Sequence, residues 1–309
     1  MWTSLALNRT KWTKSTCETH EPRQVDKMRP MSTSPRLADW AVERRFDAFL
    51  DGVDSPDISN PIHSTEVAQA FGFKAALVGG VTVWGWCARA VIEALGERWL
   101  EDGWADVHFR QPVYPGDSLT IRVASGAQPR AFEVANQEGE VCLRGQAGLG
   151  NAPWLGELTD SRWRTAEPAL AELPALTLES APAGSELRPM AVPYQLTDAT
   201  TYASEKQRDA APPWVGPGAR IHPGWIATRM TPLLKHSFAY GPSIHTRTQV
   251  QHLAPAFAGQ TVTVAGRFIR AYERKGHHVA ELDGILLAES GREVARLRHT
   301  TIFRPRAKE

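Results

Sequence analysis

The chain has 309 residues, room for one large domain or two of ordinary size. Apolar residues make up 42% of it and the formal net charge is +1, so real cores can form and neither bulk nucleic-acid nor membrane-surface binding is indicated. Three cysteines (Cys17, Cys87 and Cys142) are odd in number and widely spread, which argues against a disulfide framework or zinc spacing and for a reducing, cytoplasmic setting.

No apolar run reaches the length of a membrane span. The N-terminal stretch carries scattered Lys and Arg but no apolar signal core. Residues 1–35 are polar and aperiodic and predict a disordered extension, with Met28 or Met31 as candidate starts of translation. From Leu37 to Leu50, Trp40, Val42, Phe46 and Leu50 recur at roughly helical spacing and predict a short amphipathic helix. The Pro, Asp, Ser and Asn content of 52–62 predicts a loop. Ser64 or Thr65 then caps a short helix.

The centre of the first half is Ala75 to Gly96. A Gly79-Gly80 pair opens it, and from Val81 to Leu95 only Arg89 and Glu93 are charged. A helix apolar nearly all round is buried by other elements. Glycine at its head leaves first-turn N–H groups approachable by a ligand. Strands follow at Val107–Val113, Ser118–Val123, Arg130–Ala135 and Val141–Leu149, where Leu119, Ile121 and Val123 alternate with polar residues. Residues 151–190 turn rich in Pro, Ala and Glu and predict a linker.

The second half repeats the first. Val107–Ile121 matches Val250–Val264 without a gap; Pro112 falls on Pro255 and Gly116 on Gly259, both 143 residues on (255 − 112 and 259 − 116). The same offset lays Ile221-His222-Pro223 on Val78-Gly79-Gly80, and a run from Ile226 to Phe238, kinked by Pro232, on the central helix. Strands are predicted at Thr261–Tyr272, His278–Ala288 and Glu293–Phe303. A duplicated α+β unit therefore predicts domains at 36–150 and 191–309, each a curved antiparallel sheet around its own helix.

The candidate chemistry lies in Asp57 to His63. A histidine and a carboxylate on a loop beside a helix N-terminus have the parts for acid–base work next to an anion-stabilising dipole. His222, at the second helix head, is a further candidate facing the shared interface. Arg110 and Arg247 are candidates for phosphate contacts. No histidine spacing suits a metal.

Asn60-Pro61-Ile62-His63, then the apolar helix, then Pro112-Val113 and Gly116-Asp117, resembles the MaoC-like, (R)-specific enoyl-CoA hydratase family. The resemblance runs from Asp57 to Leu149, and the repeat extends it to about Pro305. It implies a double hot-dog fold with one half catalytic and the other holding the acyl chain. It also implies a hydratase or dehydratase acting on an enoyl or 3-hydroxyacyl thioester of CoA or a carrier protein, with no cofactor of its own. Asp57 and His63 would handle water and proton, Asn60 completes the motif, and the Gly80 N–H would polarise the thioester carbonyl. Between Asp57 and Asn60 stand two residues, Ile58 and Ser59, where the family has one; aligned without a gap, its Asp falls on Ile58. Thioester hydrolysis, or acyl binding without turnover, is the alternative on the same fold. Two such chains could pair as a homodimer.

Overall fold

The computed structural model describes residues 40–55 and 59–306. The extension expected over 1–35 and the candidate Asp57 lie outside the described residues. The first half contains β1 (Trp40–Asp47), α1 (Thr65–Ala70), α2 (Gly80–Leu95) and α3 (Trp99–Asp102). It continues with β2 (Gly103–Phe109), β3 (Ser118–Ala124), β4 (Arg130–Ala135) and β5 (Val141–Leu149). The second half contains β6 (Glu186–Tyr194), α4 (Leu196–Thr201) and a π-helical turn at Tyr202–Lys206. Then come α5 (Pro223–Thr228), α6 (Met230–Ser237), β7 (Ile244–His252), β8 (Gln260–Arg274), β9 (His277–Leu287) and β10 (Glu293–Arg304).

All ten strands form one antiparallel sheet in the order β1-β3-β4-β5-β2-β7-β10-β9-β8-β6. Read from the middle outward, each strand of one half meets its repeat counterpart in the other. The halves join where β2 pairs with β7, and in that register Asp106 stands opposite Gln249, its own counterpart at the 143-residue offset. A pseudo-two-fold axis therefore passes through this pair. Gly116 and Gly259, matched by the repeat, both take left-handed backbone (φ +88 and +86) in the turns before β3 and β8, a conformation that excludes most other residues. This is the double hot-dog arrangement.

The helix expected over 37–50 is instead β1. Trp40, Val42 and Phe46 also fit a period of two, and β3 offers an unpaired edge that takes them. Phe46 lies opposite Leu119, and Glu43 on β1 accepts from Arg122 on β3 at 2.8 Å. The stretch expected as linker contains the start of β6. Pro189 and Pro193 disguise this strand, and its place at the end of the sheet tolerates them because an edge strand pairs on one side only. The second helix breaks into α5 and α6 at Arg229. Pro232 lacks the N–H that would bond back across that point.

α2 is buried from Thr82 to Ala88 and again from Ala90 to Ile92. It packs against β1, β3 and β5, and also against β7 of the other half. Trp84, fully buried, meets Phe132 of β4 and Trp99 of α3 at 5.4 and 6.0 Å between ring centroids. One apolar cluster runs from Val42 to Phe303 through both halves. α2 and α5 cross at two glycines. A Cβ on Gly224 would stand 2.9 Å from the Gly85 Cα and 2.7 Å from the Tyr202 hydroxyl, closer than carbon atoms approach.

Two predictions follow from this packing. Gly224→Val forces the two helices apart and should cost about 1–3 kcal/mol, seen as a lower urea midpoint; an unchanged midpoint would show that the crossing is loose. Four histidines are buried uncharged: burial lowers His222 and His299 to about 3 and His252 to about 4, and holds His245 well below its ordinary value. In the unfolded chain each titrates near 6.5, so below that pH the unfolded state gains protons that the folded state refuses. Stability should fall by up to about 1.4 kcal/mol per pH unit for each histidine as pH drops from 6.5 towards 4. Equal urea midpoints at pH 7 and pH 5 would contradict this.

Candidate active site

The motif loop is pinned on both sides. Asn60 is extended, Pro61 starts a single 3₁₀ turn, and Ile62 is buried against Ala68 and Leu77. This anchoring leaves the His63 ring turned the other way. The Leu77 carbonyl lies 2.6 Å from Nδ1, and a carbonyl only accepts, so Nδ1 carries the proton. The lone pair is then on Nε2, where the Asn60 amide nitrogen donates at 3.2 Å. The same amide grips the second half: it donates to the Ser243 carbonyl at 2.9 Å and accepts from the Ser243 N–H at 3.0 Å. Burial lowers the His63 pKa, and the Lys235 ammonium lowers it further. The Leu77 carbonyl and the Asp51 carboxylate act in the opposite direction. The net shift is downward, which keeps the ring neutral, with the Nε2 lone pair facing the Asn60 amide.

The head of α2 lies beside this ring. Val78 is tied to Val113, and the Gly79 carbonyl accepts from the Thr82 and Val83 N–H groups at 2.9 and 3.1 Å. Gly80 is the first helical residue, so its N–H has no acceptor within the helix. The Phe109 ring lies against it, and a Cβ on Gly80 would meet Phe109 Cδ1 at 2.9 Å. The glycine is thus fixed by a close approach.

His63, Asn60, Gly80 and Arg110 line one cavity of about 640 Å³, which also takes walls from the second half at Thr228, Pro232 and Ile244. His222 does not line it. Only 3% exposed, its Nδ1 accepts from the Gly224 N–H at 3.0 Å and caps its own helix. Trp214 and Tyr202 pack on the ring at 4.3 and 5.5 Å. Pro223 stands where Gly80 stands in the first half and has no N–H to offer. The second helix head is therefore closed both by its chemistry and by aromatic packing.

Arg247 is committed to Asp106 through two bonds of 2.9 and 2.6 Å, a fork across the junction of the halves. Burial favours neutral Asp106, but Arg247 and His108 outweigh it and hold the carboxyl down at about 2. Arg247 borders a smaller cavity of about 360 Å³ that shares Arg110 and His277 with the first and adds Arg274 and Lys275. Burial lowers the Arg110 pKa, and the like charges of Arg144 and Arg274 lower it further.

Sequence reasoning missed Asp51, Thr82, Lys206 and Ser243 at this site. Asp51 follows the strand that was read as a helix. Lys206 falls at the position that matches His63 in the repeat (206 − 63 = 143). Ser243 carries no signal, since Asn60 binds its backbone alone. Among the described residues no helix is long and apolar enough to cross a membrane, and no cluster of three or more His, Cys, Asp or Glu could hold a metal.

Residues 55–144 match the model of the MaoC like domain. A solved structure named MaoC-like dehydratase superposes with a TM-score of 0.54 at 16% identity, covering 88% of this chain and 99% of its own. RV0216, a conserved hypothetical protein from Mycobacterium tuberculosis with a double hotdog fold, superposes with a TM-score of 0.56 at 15% identity, covering 85% and 94%. At such identity these likenesses show the fold. No curated protein matches the chain.

Proposed function

We propose that this chain adds water across, or removes it from, the C2–C3 bond of an acyl thioester carried by CoA. The observation that carries the reading is the convergence, on one cavity, of a neutral histidine with its lone pair on Nε2 and a helix-head glycine N–H. The MaoC like domain match over the same residues supports it.

In the hydration direction, the thioester carbonyl oxygen lies against the Gly80 N–H. Water oxygen forms a bond to C3 and passes one proton to His63 Nε2, displacing the Asn60 amide hydrogen from that lone pair. The C2–C3 π pair moves to C2 and the carbonyl, whose oxygen becomes enolate-like. An N–H preorganised at a helix N-terminus stabilises that charge more than it stabilises the ground state. His63 then returns the proton to C2, so one water is added and nothing is oxidised or reduced. Dehydration is the same path reversed. The basic groove beyond Arg110 offers the phosphates of CoA a charged exit from the apolar cavity.

Purified protein should consume a trans-2-enoyl-CoA, followed as loss of the conjugated-thioester absorbance, without releasing free thiol. His63→Ala should lower kcat/KM about 100-fold or more. Because the His63 pKa is lowered, the neutral base persists below pH 6.5, and the acid limb of kcat/KM should fall below that value. Thiol release at the rate of absorbance loss would assign hydrolysis instead, and wild-type turnover by His63→Ala would remove the histidine from the chemistry. Arg110→Ala should raise KM for the CoA ester several-fold, about 1 kcal/mol, with kcat little changed. An unmoved KM would place the phosphates elsewhere.

A further inference from the structure

The hydration step needs an anionic partner for the imidazole and an acceptor for the second O–H of water. The motif offers no carboxylate in the family's register, since Ile58 falls there. A different carboxylate lines the cavity. Asp51 sits in the loop after β1, and its Oδ2 accepts from the Thr82 hydroxyl at 2.8 Å. Thr82 belongs to the first turn of α2, two residues past Gly80. Both Thr82 Oγ1 and His63 Cε1 come within 4 Å of the point a Cβ on Gly79 would occupy. The glycine at 79 thus keeps open the space between the hydroxyl that holds Asp51 and the imidazole.

The second half fixes the other end of Asp51. The Lys206 ammonium donates to the Asp51 carbonyl, and the Lys206 carbonyl in turn accepts from the Trp86 indole N–H of α2 at 3.0 Å. Lys206 occupies in the second repeat the place of His63 in the first (206 − 63 = 143). The half whose own helix head is closed therefore still lends its motif position to the open site. Asp51 is held by side chain to α2 and by backbone to the other repeat, more constraint than a surface loop carboxylate ordinarily receives.

We propose that Asp51 is a carboxylate of this active site, receiving a hydrogen bond from the nucleophilic water and steadying the imidazolium that His63 becomes. This rests on the hydratase reading above. In the step, the water oxygen bonds to C3 and one water proton goes to His63 Nε2. The other stays on the new hydroxyl and points at Asp51. The C2–C3 π pair is quenched by the proton His63 gives back. Thr82 and Lys206 are positioning residues: they aim Asp51 and touch no reacting atom.

Among the described residues, the groups that act on His63 are Asp51 from the β1 loop, Lys235 from α6 and the Leu77 carbonyl, and of the two charges Asp51 favours the protonated ring. Removing it must move the histidine's titration to lower pH. The test uses the full chain with the Asp51→Asn and Thr82→Val variants. It reads kcat and KM for a trans-2-enoyl-CoA, and the His63 midpoint by NMR of histidine-labelled protein, assigned by its loss in His63→Ala. Asp51→Asn should lower kcat about 100-fold with KM within a few-fold, and Thr82→Val about 10-fold. In Asp51→Asn the His63 midpoint should drop. Should Asp51→Asn fail to fold, the Thr82→Val kcat decides. Wild-type kcat in both variants, or an unmoved His63 midpoint in folded Asp51→Asn, overturns the assignment. A wild type that turns over no enoyl-CoA overturns the hydratase reading, and the NMR midpoint then still shows whether Asp51 governs His63.

Discussion

The structure depends on one pairing, the antiparallel run of β2 against β7 with Asp106 opposite Gln249. It turns two repeats into a single sheet, and its register sets the axis about which everything else is arranged. Because α2 lies over its own strands and over β7, the two helices are forced to cross near the axis. They do so where Gly224 meets the Gly85 Cα, a contact that a Cβ on Gly224 would break. The Asp106–Arg247 fork ties the same junction on the surface side. A junction that brings both helix heads together also brings each head within reach of the other half's loops.

That reach is what makes the site a product of both repeats. Asn60 is locked to the Ser243 backbone, and Lys206 to that of Asp51. Neither repeat contains a complete cavity. Duplication then permits division of labour. The first head keeps glycine, an open donor and a neutral histidine, features that cost packing. The second replaces them with Pro223, a self-capping His222 and stacked aromatic rings, which stabilise the core and give up the donor.

Much of this was legible in the chain. The ungapped 143-residue repeat carries the strand order, because matched strands must occupy matched places. The Gly79-Gly80 head and the Asn60 to His63 loop carry the cavity. What was hidden was hidden for physical reasons. β1 has a pattern that satisfies two periods, and only the free edge of β3 decides between them. β6 contains two prolines that are harmless because it ends the sheet. His222 reads as a mirror of the first site, yet a proline next to it and Trp214 above it turn the ring to capping. Asp51 and Lys206 lie 155 residues apart and meet only through the crossing of the halves. Arg247 reads as a free cation, and its partner Asp106 becomes visible only once β2 and β7 are paired.

The central claim is that one helix head binds a thioester and its pseudo-symmetric twin does not. Calorimetric titration of the chain with a non-reactive alkyl-CoA thioether measures this directly. The account predicts one molecule bound per chain, and none when Gly80→Leu fills the space against Phe109. Two molecules per chain, or one that still binds to folded Gly80→Leu, would contradict it.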